Sequence, residues 1–167
     1  KSGQHLLELI NSLLDLSIIE AGQMEIQHTN FQLEILLQEV MESLEPLLHE
    51  KSLQYELIFQ ADRQYLLFSD SGKVRQVLIN LLGNAIKFTE PRGLVEIRIS
   101  QDETGIYLAI QDSGCGITDE QQQHIFNVFH QVKSSGISPQ KGTGLGLALV
   151  QSLMELLGGS VSLKSKV

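Results

Sequence analysis

A single cysteine, Cys115, is all the thiol that this sequence offers. An internal disulfide is thereby excluded, as is a cysteine-based zinc cluster, and a reducing compartment is the simplest account of the scarcity. Basic residues are also in short supply, with 12 Lys and Arg against 20 Asp and Glu and a formal net charge of −8. A nucleic-acid surface needs a basic patch, so this balance argues against nucleic acid as a partner. No run of like charges offsets it. No stretch approaches the roughly 18 apolar residues of a membrane-spanning helix, and no signal-peptide pattern opens the sequence. The expectation is a soluble, cytoplasmic piece, whether or not a longer parent is anchored in a membrane. Internal repeats are lacking as well. Apolar residues are plentiful: at 42% of 167 residues they can form a core that buries about two-thirds of the unfolded surface, which fits one or one and a half globular domains.

Periodicity divides the chain into helices and strands. Leu6, Leu9, Leu13 and Leu16 recur at spacings of three and four, with Leu7, Ile10, Leu14 and Ile18 as a second stripe beside them. The helix so predicted is apolar over too much of its girth for a lone surface helix, and the second stripe predicts a partner, either another helix of the same chain or another subunit. Ala21-Gly22 is its stop. A second helix is predicted over residues 31–50, with Pro46 late in it as a kink or break. Strand-like runs follow, "YELIF" at 55–59 and "YLLFS" at 65–69. "KVRQVLINLLGNAIKF" then sets Val74, Val77, Leu78, Leu81, Leu82, Ala85 and Phe88 on one long helical face, with Asp70 or Ser71 as its cap. "LVEIRIS" (94–100) and "IYLAIQD" (106–112) alternate and are joined by a turn over 102–105, a predicted hairpin. A short helix over 119–129, another over 145–157 stopped by Gly158-Gly159, and a final strand beginning at Ser160 complete the series. This order predicts an α+β fold, a sheet with helices packed on one face.

Four stretches carry chemistry. On the long predicted helix, Asn80, Asn84 and Lys87 are spaced four and three apart and share one side. Two amide oxygens can ligate a hard cation such as magnesium, with a lysine one turn later to meet phosphates that the cation bridges; a solvated polar face has the same spacing. "DSGCGI" (112–117) ends a predicted strand, where two glycines allow close approach to a flat ligand and the Asp112 carboxylate can accept from an exocyclic amine; a plain turn reads the same way. Cys115 within it is a bystander, since no histidine lies near it in sequence. "FNVFHQV" (126–132) offers two aromatics three apart. "KGTGLGLALV" (141–150) matches neither a P-loop, which needs Lys-Ser/Thr after its last glycine, nor a dinucleotide fingerprint, which follows a buried strand. Its glycines open an amphipathic helix whose unpaired N–H groups suit an anion, or else they merely turn the chain. The histidines His5, His28, His49, His124 and His130 are scattered, and no pair has metal-ligand spacing with a carboxylate between.

In order, "NLLGNAIKF", "DSGCGI", "FNVFHQ" and "GTGLGL" resemble the N box, first glycine box, F box and second glycine box of the sensor histidine kinases. The resemblance is strong over residues 71–159. Upstream, "GQHLLELINSLLDLSIIEAGQM" is similar to the second helix of that family's dimerisation hairpin, which extends the likeness to nearly the whole chain. It implies residues 1–22 as a partial dimerisation helix and 23–167 as a catalytic ATP-binding domain. The implied fold is a two-layer α/β sandwich of the Bergerat type, a mixed sheet against helices, shared with type II topoisomerases, mismatch-repair ATPases and a heat-shock chaperone. Asn84 and Asn80 would hold Mg2+; Asn80 and Lys87 would be catalytic, with Lys87 on phosphate; Asp112 would bind the adenine amine, with Gly114, Gly116 and Ile117 lining the base. Phe129 belongs to the implied ATP site, and Gly142, Thr143, Gly144, Leu145 and Gly146 would close over the phosphates at the lower end of a lid spanning about 132–143.

Departures from the family pattern are also visible. Asn127 stands where an acidic residue is common, and Lys141 where a glycine often precedes "GTGLGL". The phosphoacceptor motif, a histidine followed by an acid and Arg-Thr-Pro or similar, falls upstream of this sequence; His5 is followed by Leu6 and Leu7 instead. A further strand would normally follow Val167. The resemblance implies transfer of the γ-phosphoryl group of ATP to a histidine outside this chain, a homodimer through the N-terminal helix, and a response regulator receiver domain as partner. The alternative is an ATPase or ATP-gated clamp of the same superfamily, which usually carries a glutamate where Asn80 stands, to activate water. A scaffold module that has lost ATP is opposed by the intact asparagine, aspartate and glycine positions.

Overall fold

Helical and strand periods alternate along the chain in the computed structural model, which describes residues 2–60, 63–131 and 142–167. The elements are α1 (Ser2–Glu20), β1 (Thr29–Gln32), α2 (Leu33–Lys51), β2 (Gln54–Ile58), β3 (Leu66–Ser69), α3 (Ser71–Phe88), β4 (Leu94–Gln101), β5 (Ile106–Asp112), α4 (Asp119–Gln122) and α5 (Gly146–Leu156). They form two compact units, one from Gln27–Gly116 and one from Lys1–Ile26 with Ile117–Val167. Most of the expected lid, Lys141 and the side chain of His5 lie outside what is described.

The unit Gln27–Gly116 is organised by alternation along β4. Val95, Ile97 and Ile99 are buried on one face, while Glu96 and Arg98 lie on the other and pair with each other at 2.9 Å, as a half-buried strand requires. β4 is central in a mixed sheet of order β2-β4-β5, parallel to β2 and antiparallel to β5. On the buried face Leu37 and Val40 of α2 and Leu78 and Leu82 of α3 join Val95 and Ile97 in one core; each such side chain contributes about 1.5–3 kcal/mol on burial. β1 and β3 form a separate antiparallel pair, Thr29 opposite Ser69. Buried Tyr65 ties that pair to the sheet, its N–H donating to Glu34 at 3.2 Å and its hydroxyl to the Ile99 carbonyl at 3.4 Å.

In the second unit α1 packs on α5, and Leu16, Leu145, Leu149, Val150 and Leu153 are buried. Gly22 at φ 65° ends α1 with the left-handed turn that glycine permits. The second stripe of α1 is uncovered: Leu7, Ile10, Leu14 and Ile18 are all exposed. Among the described residues no helix is long and apolar enough to cross a membrane.

The long helix, its cap at Asp70 and the hairpin stand as expected. Four expectations are corrected. Phe31 belongs to β1, a strand absent from the sequence reading, because four residues with a weak exposure pattern form it only by pairing with β3. Pro46 does not break α2, which runs on to Lys51 with Leu44 and Leu48 still on the core face; burial there outweighs the missing N–H bond. The helix expected over 119–129 is a single turn, α4, opened by the Thr118–Gln121 capping box and followed by turns that lead to Phe129 at φ 63°. No strand forms over residues 160–167; the N–H of Ser165 donates to the side chain of Gln122 at 3.2 Å rather than to a neighbouring strand.

Asp70 joins two distant pieces of chain. One carboxylate oxygen caps α3 by accepting from Lys73 N–H at 3.0 Å, and the other accepts from Gln27 N–H at 2.9 Å. Burial alone would raise this carboxyl, but the N–H bonds from Gln27, Lys73 and Gly72 and the Lys73 charge outweigh it and hold it below its ordinary value. A depressed folded-state value means stabilisation that is complete above about pH 4 and lost as pH falls through the folded value. Asp70→Ala should therefore cost about 1 kcal/mol at neutral pH, the usual worth of a cap, and urea titrations of both proteins should converge as pH falls through the carboxyl's depressed folded-state value. A gap unchanged by acid would show that the carboxylate charge is not what stabilises.

Candidate functional site

The expected site residues fall into two groups, one within each unit. In the first, α3 divides into faces. Val77, Leu78, Leu82, Ala85 and Ile86 are buried against the core, which leaves Asn80, Asn84 and Lys87 half-buried beside them. Asn80 donates through Nδ2 to the Gln76 carbonyl at 3.0 Å. Lys87 Nζ lies 4.7 Å from the centroid of the Phe88 ring. Burial, and after it the charge of Lys51, lowers the Lys87 ammonium below its ordinary value; a charge so disfavoured gains from a nearby anion.

Asp112 is the last residue of β5, and its register opposite Val95 puts it on the helix-covered face of the sheet. Its Oδ1 accepts from Gly114 N–H at 2.9 Å, an Asx-type turn. Gly114 is constrained in a second way: a Cβ there would lie 2.6 Å from Asp112 Oδ1 and 2.7 Å from the Phe88 carbonyl oxygen. The loop after β5 is therefore pressed directly onto the end of α3. Ser113 fixes its other side, accepting from Leu94 N–H at 2.9 Å. Gly116 takes φ 73°, open to glycine at little cost, and the Cys115 thiol between the glycines is exposed. Asn84, Lys87, Asp112 and Gly114 are thus brought to one end of α3, with Asn80 a turn further back.

In the second group Phe129 N–H donates to the Gly144 carbonyl at 3.0 Å. Gly144 takes φ 70°, and a Cβ there would approach the Phe129 backbone to 2.8 Å. The two expected boxes therefore abut, and the Phe129 ring is left 60% exposed. Gln131 Nε2 adds a bond to the Gly142 carbonyl at 2.7 Å, and Leu145 N–H donates to Thr143 Oγ1 at 3.3 Å. No side chain caps α5, so the N–H groups that open it at Gly146 are available to an anion. Ile117, half-buried, begins this part of the chain, its N–H bonded to Ser165 Oγ at 2.9 Å.

Two contributors escape a reading of the sequence. Lys51, at the end of α2, donates to the carbonyls of Ile86, Lys87 and Thr89. Gln131 joins backbone 11 residues on. Neither has a spacing signal, because each bonds main-chain oxygens that the folded chain brings to it.

Residues 69–167 match the family described as histidine kinase-, DNA gyrase B- and HSP90-like ATPase. Over 167 residues the chain is 41% identical to the circadian input-output histidine kinase CikA of Synechococcus elongatus, covering 99% of this chain and 22% of that protein. It is 36% identical over 170 residues to the signal transduction histidine-protein kinase BarA of Escherichia coli, covering 99% and 18%. The chain thus spans about a fifth of the length of these relatives. Among solved structures, full-length ShkA in complex with AMPPNP superposes with TM-score 0.81 at 30% identity, covering 98% of this chain and 35% of that one. Histidine kinase AdeS of Acinetobacter baumannii gives TM-score 0.81 at 26% identity, covering 98% and 73%. With the asparagine face of α3, the aspartate turn after β5 and the glycine start of α5 all in place, the chain belongs to the histidine kinase-, DNA gyrase B- and HSP90-like ATPase family, and within it is similar to the ATP-binding catalytic portion of histidine kinases.

Proposed function

We propose that the chain is the ATP-binding catalytic region of a sensor histidine kinase, with residues 1–22 as part of a dimerisation hairpin and 23–167 as the catalytic domain. The observation that supports it most is the close contact of Gly114 with the Phe88 carbonyl, which sets Asp112 beside the Asn84–Lys87 end of α3. Asp112 accepts the adenine amine through the oxygen that Gly114 N–H does not use, and Gly114, Gly116 and Ile117 leave room for the flat base. The carboxamide oxygens of Asn80 and Asn84 are hard neutral ligands of the kind Mg2+ takes alongside phosphate. Bound magnesium would neutralise phosphate charge. Lys87 contacts phosphate; within the other unit, residues 142–146 offer backbone N–H groups to an anion, with Phe129 beside them.

The reaction is in-line transfer of the γ-phosphoryl group to a histidine of the dimerisation hairpin, for relay to a receiver domain. Little covalent chemistry falls to the protein; positioning and charge neutralisation carry the step. With γ-labelled ATP, acid-labile label should appear on a separately supplied hairpin that bears its acceptor histidine. Asp112→Ala should weaken ATP binding by about 1–3 kcal/mol, the cost of leaving a polar partner unpaired. Calorimetric titration decides this, and an unchanged dissociation constant in the folded variant removes Asp112 from the site.

The exposed stripe on α1 supports self-association through that helix. Leu7 and Leu14 are 59% and 54% exposed, so replacing both by Asp leaves the packing on α5 intact while placing charge in the contact. Sedimentation should show a dimer lost in the double variant; an equal mass before and after excludes this face.

A further inference from the structure

We propose that Lys51 is a positioning residue for the nucleotide site, holding the last turn of α3 so that Lys87 and the Phe88 carbonyl stand where the site needs them; this rests on the ATP-binding reading above. Lys51 is the last residue of α2. Its ammonium donates to the carbonyls of Ile86 at 3.0 Å, Lys87, and Thr89 at 2.9 Å, which uses all the hydrogens of an ammonium group. The final carbonyls of a helix have no partner within it, and here a side chain 35–38 residues earlier in sequence supplies one. The Lys51 backbone is tied down too, its carbonyl accepting from Arg92 N–H at 3.1 Å. Within the same turn the Thr89 hydroxyl, fully buried, donates to the Ala85 carbonyl at 2.6 Å.

Two consequences follow from that position. The first is geometric: the Phe88 carbonyl lies between two of the oxygens that Lys51 holds, and Gly114 is packed against it with no room for a methyl group. Any rotation of the turn displaces the loop that carries the Asp112 bond. The second is electrostatic, since the Lys51 charge acts on Lys87 in the same sense as burial, favouring loss of its proton. A phosphate brought to Lys87 relieves both.

The test compares Lys51→Met, which keeps the aliphatic stem and removes the donors and charge, with Lys51→Arg, which keeps both. Lys51→Met should bind ATP with magnesium about tenfold more weakly at a temperature where it is fully folded, and the Lys87 Nζ titration followed by NMR should move upward. Lys51→Arg should restore affinity to within about threefold of the parent. A lower melting temperature with ATP affinity and Lys87 titration unchanged would make Lys51 a structural cap only and overturn the proposal. Should Lys51→Met not fold, the parent protein decides: the Lys51 Nζ resonance shifts on titration with ADP and magnesium in step with that of Lys87, and a Lys51 signal that stays fixed at saturation overturns the proposal. Failure of the parent protein itself to bind ATP would instead overturn the reading on which the inference rests.

Discussion

The contact between Gly114 and the Phe88 carbonyl is the constraint around which this chain is arranged. It joins two pieces of main chain with no side chain between them, and only a glycine permits it. From one side come the last turn of α3 and its polar face; from the other come β5 and Asp112. Gly93 is crowded next door, where a Cβ would run into the Thr89 and Ser113 side chains and lie 2.9 Å from the Glu90 carbonyl oxygen. The end of α3, the turn before β4 and the loop after β5 therefore meet at close quarters. Such a junction has little capacity to shift, because packed interiors lack the space that would absorb a displacement. A site built on it inherits that rigidity.

The polar face of α3 needs this support. Asparagine is a mediocre helix former, and Asn80, Asn84 and Lys87 bury no apolar stripe that would hold the helix on their side. The opposite face compensates, with Leu78 and Leu82 buried in one core with residues of α2 and β4. Asp70 secures the start of the helix through Gln27 and Lys73, and Lys51 secures its end. The site residues are thus positioned by groups that would not themselves touch a nucleotide.

What could be read from the sequence follows the range of the forces involved. α3, the β4–β5 hairpin and α5 declare themselves because period, cap and glycine stop all lie within one local window. β1 could not be read, since Thr29–Gln32 becomes a strand only against Leu66–Ser69, some 35 residues later. At Pro46 the break that a local rule allowed does not occur, because Leu44 and Leu48 on the core face outweigh it. The helix expected over 119–129 stops at Gln122, and the turns that follow end at Phe129, whose N–H bonds to the Gly144 carbonyl across a span that no local window covers. The candidate site was legible as motifs, but Lys51 and Gln131 were not, because carbonyl oxygens carry no sequence signature.

An acidic chain, with a net charge of −8, must offset its own negative groups wherever it takes a polyanion. A helix C-terminus carries roughly half a negative charge, so an anion brought to Lys87, in the last turn of α3, would meet unfavourable carbonyls as well as a favourable ammonium. Lys51 resolves the conflict by occupying those carbonyls with its own charge. The dipole end is thereby offset by a side chain outside the expected ligand set, which would leave Lys87 to act on phosphate in the proposed site. At α5 the sign is already right, since an uncapped N-terminus favours an anion without further help. If both helix ends meet phosphate as proposed, the C-terminal end of α3 would need a lysine to do so, and the N-terminal end of α5 only its free N–H groups.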